Sequence, residues 1–174
     1  MQWCKLLGAR RTVVFDISRA RLELALRLGA DEVICTQDED FLAQAMALTG
    51  GRGYGFAFET AGLNETMNMA FDLAANKAGA CFIGTASRDL TFDWKRFEKM
   101  NRKEFRLIGS WMSYSAPFPG REWTMAADYF GQGLLKFDEA LVGRVFPMSR
   151  AAEAFELFDT PGAVTGRIML INED

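Results

Sequence analysis

The chain has 174 residues, 49% hydrophobic and 25% charged, with a net charge of −3. That suffices for one domain with a sizeable core in a soluble globular protein. It argues against a nucleic-acid or anionic-membrane surface, and no apolar run reaches the length of a membrane span.

The first elements alternate between helix and strand. Residues 1–8 read as the end of an amphipathic helix stopped by Gly8, and 12–16 (TVVFD) as a buried parallel strand. Ser18 starts a helix with Leu22, Ala25, Leu26 and Leu28 as apolar positions, and Gly29 ends it. Residues 31–36 are a short strand. A helix over 38–49 is expected to turn Phe41, Leu42, Ala45, Met46 and Leu48 inward. GGRGYG (50–55) is a turn leading into the strand FAFET (56–60).

The second half repeats the order. Asn64 is expected to cap a helix running to about Ala74, followed by a strand over 79–84, a polar helix over 94–102 and a strand over 104–111. The basic run Lys95-Arg96, Lys99, Arg102-Lys103 reads as a solvated helix face. APFPG (116–120) is a turn. Then come a helix to about Phe130, a strand near 141–146, a helix over 150–158 facing inward with Ala151, Ala154, Phe155 and Phe158, and a strand over 166–171. This order implies an α/β fold, a Rossmann-type doubly wound parallel sheet.

The inventory of reacting groups is narrow. There is no histidine, and the three cysteines, Cys4, Cys35 and Cys81, are scattered. That argues against a disulfide framework, a Ser-His pair and a catalytic zinc set on this chain. A reducing, cytoplasmic setting follows, and MQWCKLLGARR is too short and polar for a signal peptide. No Gly-x-Gly-x-x-Gly turn joins a strand to a helix, although such a turn holds a pyrophosphate in nucleotide-binding α/β domains. The opening residues look like the helix after such a turn. The expectation is therefore a chain truncated at its N-terminus, its first strand and glycine turn lost upstream of Met1. In the order 3-2-1-4-5-6 that strand is central. Its loss would leave unpaired backbone groups on both neighbours, and an isolated chain unstable, mispaired or rescued by another segment.

Several positions are candidates for ligand contact. Asp16 ends a strand with Arg21 at the first turn of the next helix. It stands where an acid accepts the hydroxyls of an adenosine ribose and repels a 2′-phosphate, favouring NAD; a helix-capping acid fits the spacing equally well. Three further strand ends, Glu59-Thr60-Ala61-Gly62, Ile83-Gly84-Thr85 and Gly109-Ser110-Trp111-Met112, lie where parallel sheets bind ligands, or are ordinary turns. Arg167 either holds a phosphate or makes a surface salt bridge. For the aromatic stretch from Trp111 to Phe118, composition favours core packing over a lid or subunit contact.

Taken together, these segments resemble the zinc-dependent medium-chain alcohol dehydrogenase family. KLLGARRTVVFDISRARLELALRLGADEVI is similar to the family's segment from first helix to third strand. TGGRGYGFAFETAG and AGACFIGT are similar to its fourth and fifth strands, and TGRIMLI to its closing strand. KEFRLIGSWMSYSAPFPGREW (103–123) resembles the branch acting on sugar-alcohol phosphates of the galactitol 1-phosphate type; sorbitol and threonine dehydrogenases are less similar there.

The resemblance implies hydride transfer between NAD and a polyol phosphate, giving a ketose phosphate of the tagatose 6-phosphate type. It places Asp16 on the adenosine ribose with Arg21 in support, and Thr60, Ala61 and Gly62 along the adenosine side. Ile83, Gly84, Thr85, Ser110, Trp111 and Met112 would face the nicotinamide end, and Arg167 would touch the pyrophosphate. Residues 1–115 would be the incomplete NAD-binding domain, and 116–174 would return towards a catalytic domain that carries the zinc ligands. The family further implies a homo-oligomer, dimer or tetramer, and a chain inactive by itself. A non-catalytic nucleotide- or protein-binding module is the competing expectation.

Overall fold

The computed structural model describes residues 1–111, 118, 120–157, 160 and 163–173. Its strands are β1 (Val13–Asp16), β2 (Glu32–Cys35), β3 (Tyr54–Glu59), β4 (Ala74–Phe82), β5 (Arg106–Gly109), β6 (Val142–Pro147) and β7 (Arg167–Ile171). The helices are α1 (Gln2–Leu6), α2 (Arg19–Arg27), α3 (Phe41–Ala47), α4 (Asn64–Leu73), α5 (Trp94–Lys103), α6 (Arg121–Gly131) and α7 (Ala151–Glu156). Among the described residues the strands form three sheets, β1-β2, β3-β4-β5 and β6-β7. The pairings β3-β4, β4-β5 and β6-β7 are parallel. No helix among the described residues is long and apolar enough to cross a membrane. The chain divides into two compact units, Met1–Val33 with Met125–Asp174, and Ile34–Thr124.

The unit of residues 34–124 is built around Phe71, which is 0% exposed. Residues Met67, Ala70, Phe71 and Leu73 of α4 recur at helical spacing and are buried. Phe71 meets Phe105 edge-on at 5.3 Å, and Phe92 at 5.0 Å, separations at which aromatic pairs add to area burial. Ala74, Ala78 and Ala80 complete this core, their small side chains letting the rings approach the sheet. Asp93 caps α5, accepting from the Lys95 and Arg96 amides.

The unit of residues 1–33 and 125–173 buries Leu22, Ala25, Ala30, Leu135 and Ala154. Ser18 caps α2 through its side chain, and Gly29 follows the helix at φ +99°, the left-handed conformation that favours glycine. Gln2 bonds the backbone of Lys136, Trp3 contacts the Tyr129 ring, and Arg27 pairs with Asp138, so the two stretches of this unit are tied together.

Several expectations are corrected. Asn64 is the first residue of α4 rather than its cap, which is Leu63. Its side chain instead accepts from the Thr91 amide and from Asn68, because a short amide reaches a neighbouring loop as readily as a helix end. The basic residues of α5 are not merely solvated: Arg96 and Lys99 both bind Asp72, and Lys103 donates to the Ala74 carbonyl at 2.5 Å. Of the expected inner face of α3 only Ala45 is buried, and Leu42 is exposed. In α7 Ala154 is buried while Phe155 is exposed; Phe158 lies outside the described residues. Trp111 and Phe118 are exposed rather than packed in a core, and residues 112–117 lie outside the described residues.

Candidate functional site

The described candidate residues fall into two groups, one in each unit. In the first, Asp16 ends β1 with its side chain about a quarter exposed. Oδ1 accepts from the Ser18 amide at 2.8 Å and from Arg21 Nη2 at 2.7 Å, and Oδ2 accepts from Arg21 Nε at 2.9 Å. Asp16 thus steadies the entry to α2, whose cap is Ser18. The Asp16 carboxylate, through its hydrogen bonds, holds the Arg21 guanidinium above its ordinary range. A carboxylate offers about four acceptor positions. Among the described residues three are taken, which leaves one on Oδ2. Arg167 begins β7 in the same unit and is exposed; it makes no ion pair among the described residues.

The second group lies at the carboxyl ends of β3, β4 and β5. The register pairs Glu59 with Phe82 and Phe82 with Gly109, so the three strands end level. Two backbone bonds carry the pairing one step further, Ile83 to the Glu59 carbonyl at 2.8 Å and Ser110 to the Phe82 carbonyl at 2.9 Å. Thr60–Gly62, Ile83–Thr85 and Ser110–Trp111 therefore leave the same end of one parallel sheet side by side. Thr60, Ala61, Ile83, Thr85, Ser110 and Trp111 are exposed. Met112 lies outside the described residues.

Two glycines let the first two turns touch. Gly62 has φ +72°, and a Cβ on it would lie 2.3 Å from the Thr85 carbonyl oxygen. A Cβ on Gly84 would lie 2.2 Å from the Gly62 nitrogen and 2.7 Å from Glu59 Oε2. No side chain fits at either place, so the backbones approach closely.

Sequence reasoning quoted Glu59 only as part of a strand end. The structure makes it central to the second group: it is 5% exposed, and its Oε1 accepts from the Ala61 and Gly62 amides at 2.8 and 2.9 Å. Its signal was an acid closing an apolar strand two and three residues before amides in need of an acceptor.

The donor set for zinc is not here. Among the described residues no group of three or more His, Cys, Asp or Glu stands together. Cys35 and Cys81 are buried and Cys4 is half-buried, and burial pushes the Cys81 thiol up, away from the thiolate that binds metal. The described residues do not fit the metal.

Comparison with known proteins agrees with this architecture. Residues 1–128 match the family described as zinc-binding dehydrogenase. Galactitol 1-phosphate 5-dehydrogenase of Escherichia coli strain K12 is 31% identical over 165 residues, covering 95% of this chain and 47% of that protein. The crystal structure of galactitol-1-phosphate dehydrogenase from Escherichia coli superposes with a TM-score of 0.86 at 32% identity, covering 98% of this chain and 49% of that one. L-threonine 3-dehydrogenase of Bacillus licheniformis is 35% identical over 72 residues, 41% of this chain and 21% of that protein. The chain spans about half the length of the galactitol 1-phosphate enzyme it matches. With level parallel strand ends, a fold shared at a TM-score of 0.86 and a family match over its first 128 residues, the chain belongs to the zinc-binding dehydrogenase family.

Proposed function

We propose that this chain carries the NAD-binding part of a dehydrogenase that moves a hydride between NAD and a sugar-alcohol phosphate of the galactitol 1-phosphate type. The observation that carries the reading is the level ending of β3, β4 and β5, with exposed turn residues beyond. Ligands of parallel α/β sheets lie off that end. The 31% identity to galactitol 1-phosphate 5-dehydrogenase over 95% of the chain supports the substrate class.

When bound, NAD would supply the acceptor for the hydride of the alcohol carbon, so that loss of that hydride and of the hydroxyl proton would give a ketose phosphate. The residues of this chain bind and orient. Asp16 accepts from the adenosine ribose through its remaining acceptor position, with Arg21 holding its orientation. Thr60, Ala61 and Gly62 follow the adenosine side. Ile83, Gly84, Thr85, Ser110 and Trp111 face the nicotinamide end, and Arg167 meets the pyrophosphate. Residues 1–115 serve the cofactor, and 116–174 return towards a catalytic domain. That domain supplies zinc in the proposed whole enzyme, a cytoplasmic homo-oligomer.

Calorimetric titration with NAD and NADP tests the cofactor. Heat with NAD, weakened roughly tenfold or more in Asp16→Ala, is expected; no heat, or no effect of that change, overturns it. A chimera in which this chain replaces the matching half of the galactitol 1-phosphate enzyme tests the substrate. Preference for L-threonine over the polyol phosphate would favour the second reading, which the local match to L-threonine 3-dehydrogenase suggests.

A further inference from the structure

We propose that Glu59 is the positioning residue of the β3 and β4 strand ends, one buried carboxylate that makes the turns after them a single rigid wall. The proposal rests on the dinucleotide reading above for the ligand that the wall serves. Oε1 accepts from the Ala61 and Gly62 amides at 2.8 and 2.9 Å and lies 2.7 Å from the Thr66 hydroxyl at the start of α4. The backbone carbonyl of the same residue accepts from the Ile83 and Gly84 amides, at 2.8 and 3.1 Å. Donors from two turns and one helix thus converge on one residue that is 5% exposed.

The donors stand against Oε1, where bonds to a carboxylate exceed neutral ones in strength, while Oε2 is buried without a hydrogen-bond partner among the described residues. The glycine contacts remove any remaining play. Gly62 lies against Thr85, and Gly84 lies against both Gly62 and Glu59. The turn at 60–62 cannot shift without displacing that at 83–85. Glu59 therefore sets where the exposed tips of both turns stand, without touching the ligand itself.

The test is amide hydrogen exchange and NAD titration on the 174-residue chain, with Glu59→Gln and Glu59→Leu. The Gln side chain keeps an acceptor of the same reach. Protection at Ala61, Gly62, Ile83 and Gly84 should persist, with NAD affinity within about threefold. Leu keeps the volume and removes the acceptor. All four amides should lose protection together, and affinity should fall roughly tenfold or more. Asp72→Asn, in the same unit but remote from these turns in the bonding pattern, should change neither readout.

Loss confined to Ala61 and Gly62 would show that the turns are not coupled and would overturn the proposal, as would joint loss of protection with unchanged affinity. If Glu59→Leu does not fold, Glu59→Asp, which retains the charge and withdraws the acceptor, is read at the same four amides; unchanged protection there overturns the proposal. A wild-type chain that gives no heat with NAD refutes the dinucleotide reading, while the exchange arm still decides whether Glu59 couples the turns.

Discussion

At the scale of single residues the strand ends are limited by space. Gly62 combines a left-handed φ with a neighbour that a Cβ would strike at 2.3 Å, and that neighbour is backbone, which cannot rotate aside. Gly133 also has a left-handed φ, +71°, but open space around it. The pair separates two costs. Gly133→Ala should lose about 1 kcal/mol, the strain of an L-residue in that conformation. Gly62→Ala should lose about 2–4 kcal/mol, because overpacking is added to strain. Urea denaturation of the two variants measures the difference; equal losses would show that the turn at 83–85 yields easily. The sequence carried no sign of this contact, since Gly62 and Gly84 are 22 residues apart and meet only through the β3-β4 register.

At the scale of elements, the loops beside the strands are held by short polar residues acting on the backbone. Asp31, just before β2, accepts from Lys5 near the end of α1 and from both the amide and hydroxyl of Thr12, just before β1. The Lys5 bond first, then those from Thr12, draw its carboxyl from the ordinary 3.8 down to about 2. A folded value below the unfolded one means that the unfolded chain takes up the proton first. The contribution of Asp31 is thus complete above about pH 4 and is lost as pH falls towards 2. Wild type should lose thermal stability over that window more steeply than Asp31→Asn, as followed by circular dichroism; identical acid profiles would refute the clasp. The helices and strands themselves were largely legible, because Ser18, Gly29 and the apolar spacing of α2 are local signals. The roles of Asn64 and of Arg96, Lys99 and Lys103 were not, since their partners Thr91, Asp72 and Ala74 lie at least 24 residues away along the chain.

At the scale of the molecule, alternation of strand and helix made the parallel α/β class readable, while the pairing of β6 with β7 was not, because strand pairing depends on partners that periodicity does not name. The candidate positions were legible as strand ends, a consequence of chain order alone. Their level alignment, and Glu59 beneath them, needed the register. A ligand that binds only the folded chain must raise its stability by mass action, whichever contacts it makes. If the proposed dinucleotide binds, NAD at about a hundred times its dissociation constant stabilises by about 2.7 kcal/mol. For a chain of 174 residues that corresponds to a rise in Tm of roughly 5–10 °C. The rise should grow with the logarithm of NAD concentration, and Asp16→Ala should move the whole curve to higher concentration without changing its slope. Differential scanning fluorimetry across a thousandfold range of NAD measures both. A flat Tm, or a rise that Asp16→Ala leaves in place, would separate β1 from cofactor binding even in a chain whose family is secure.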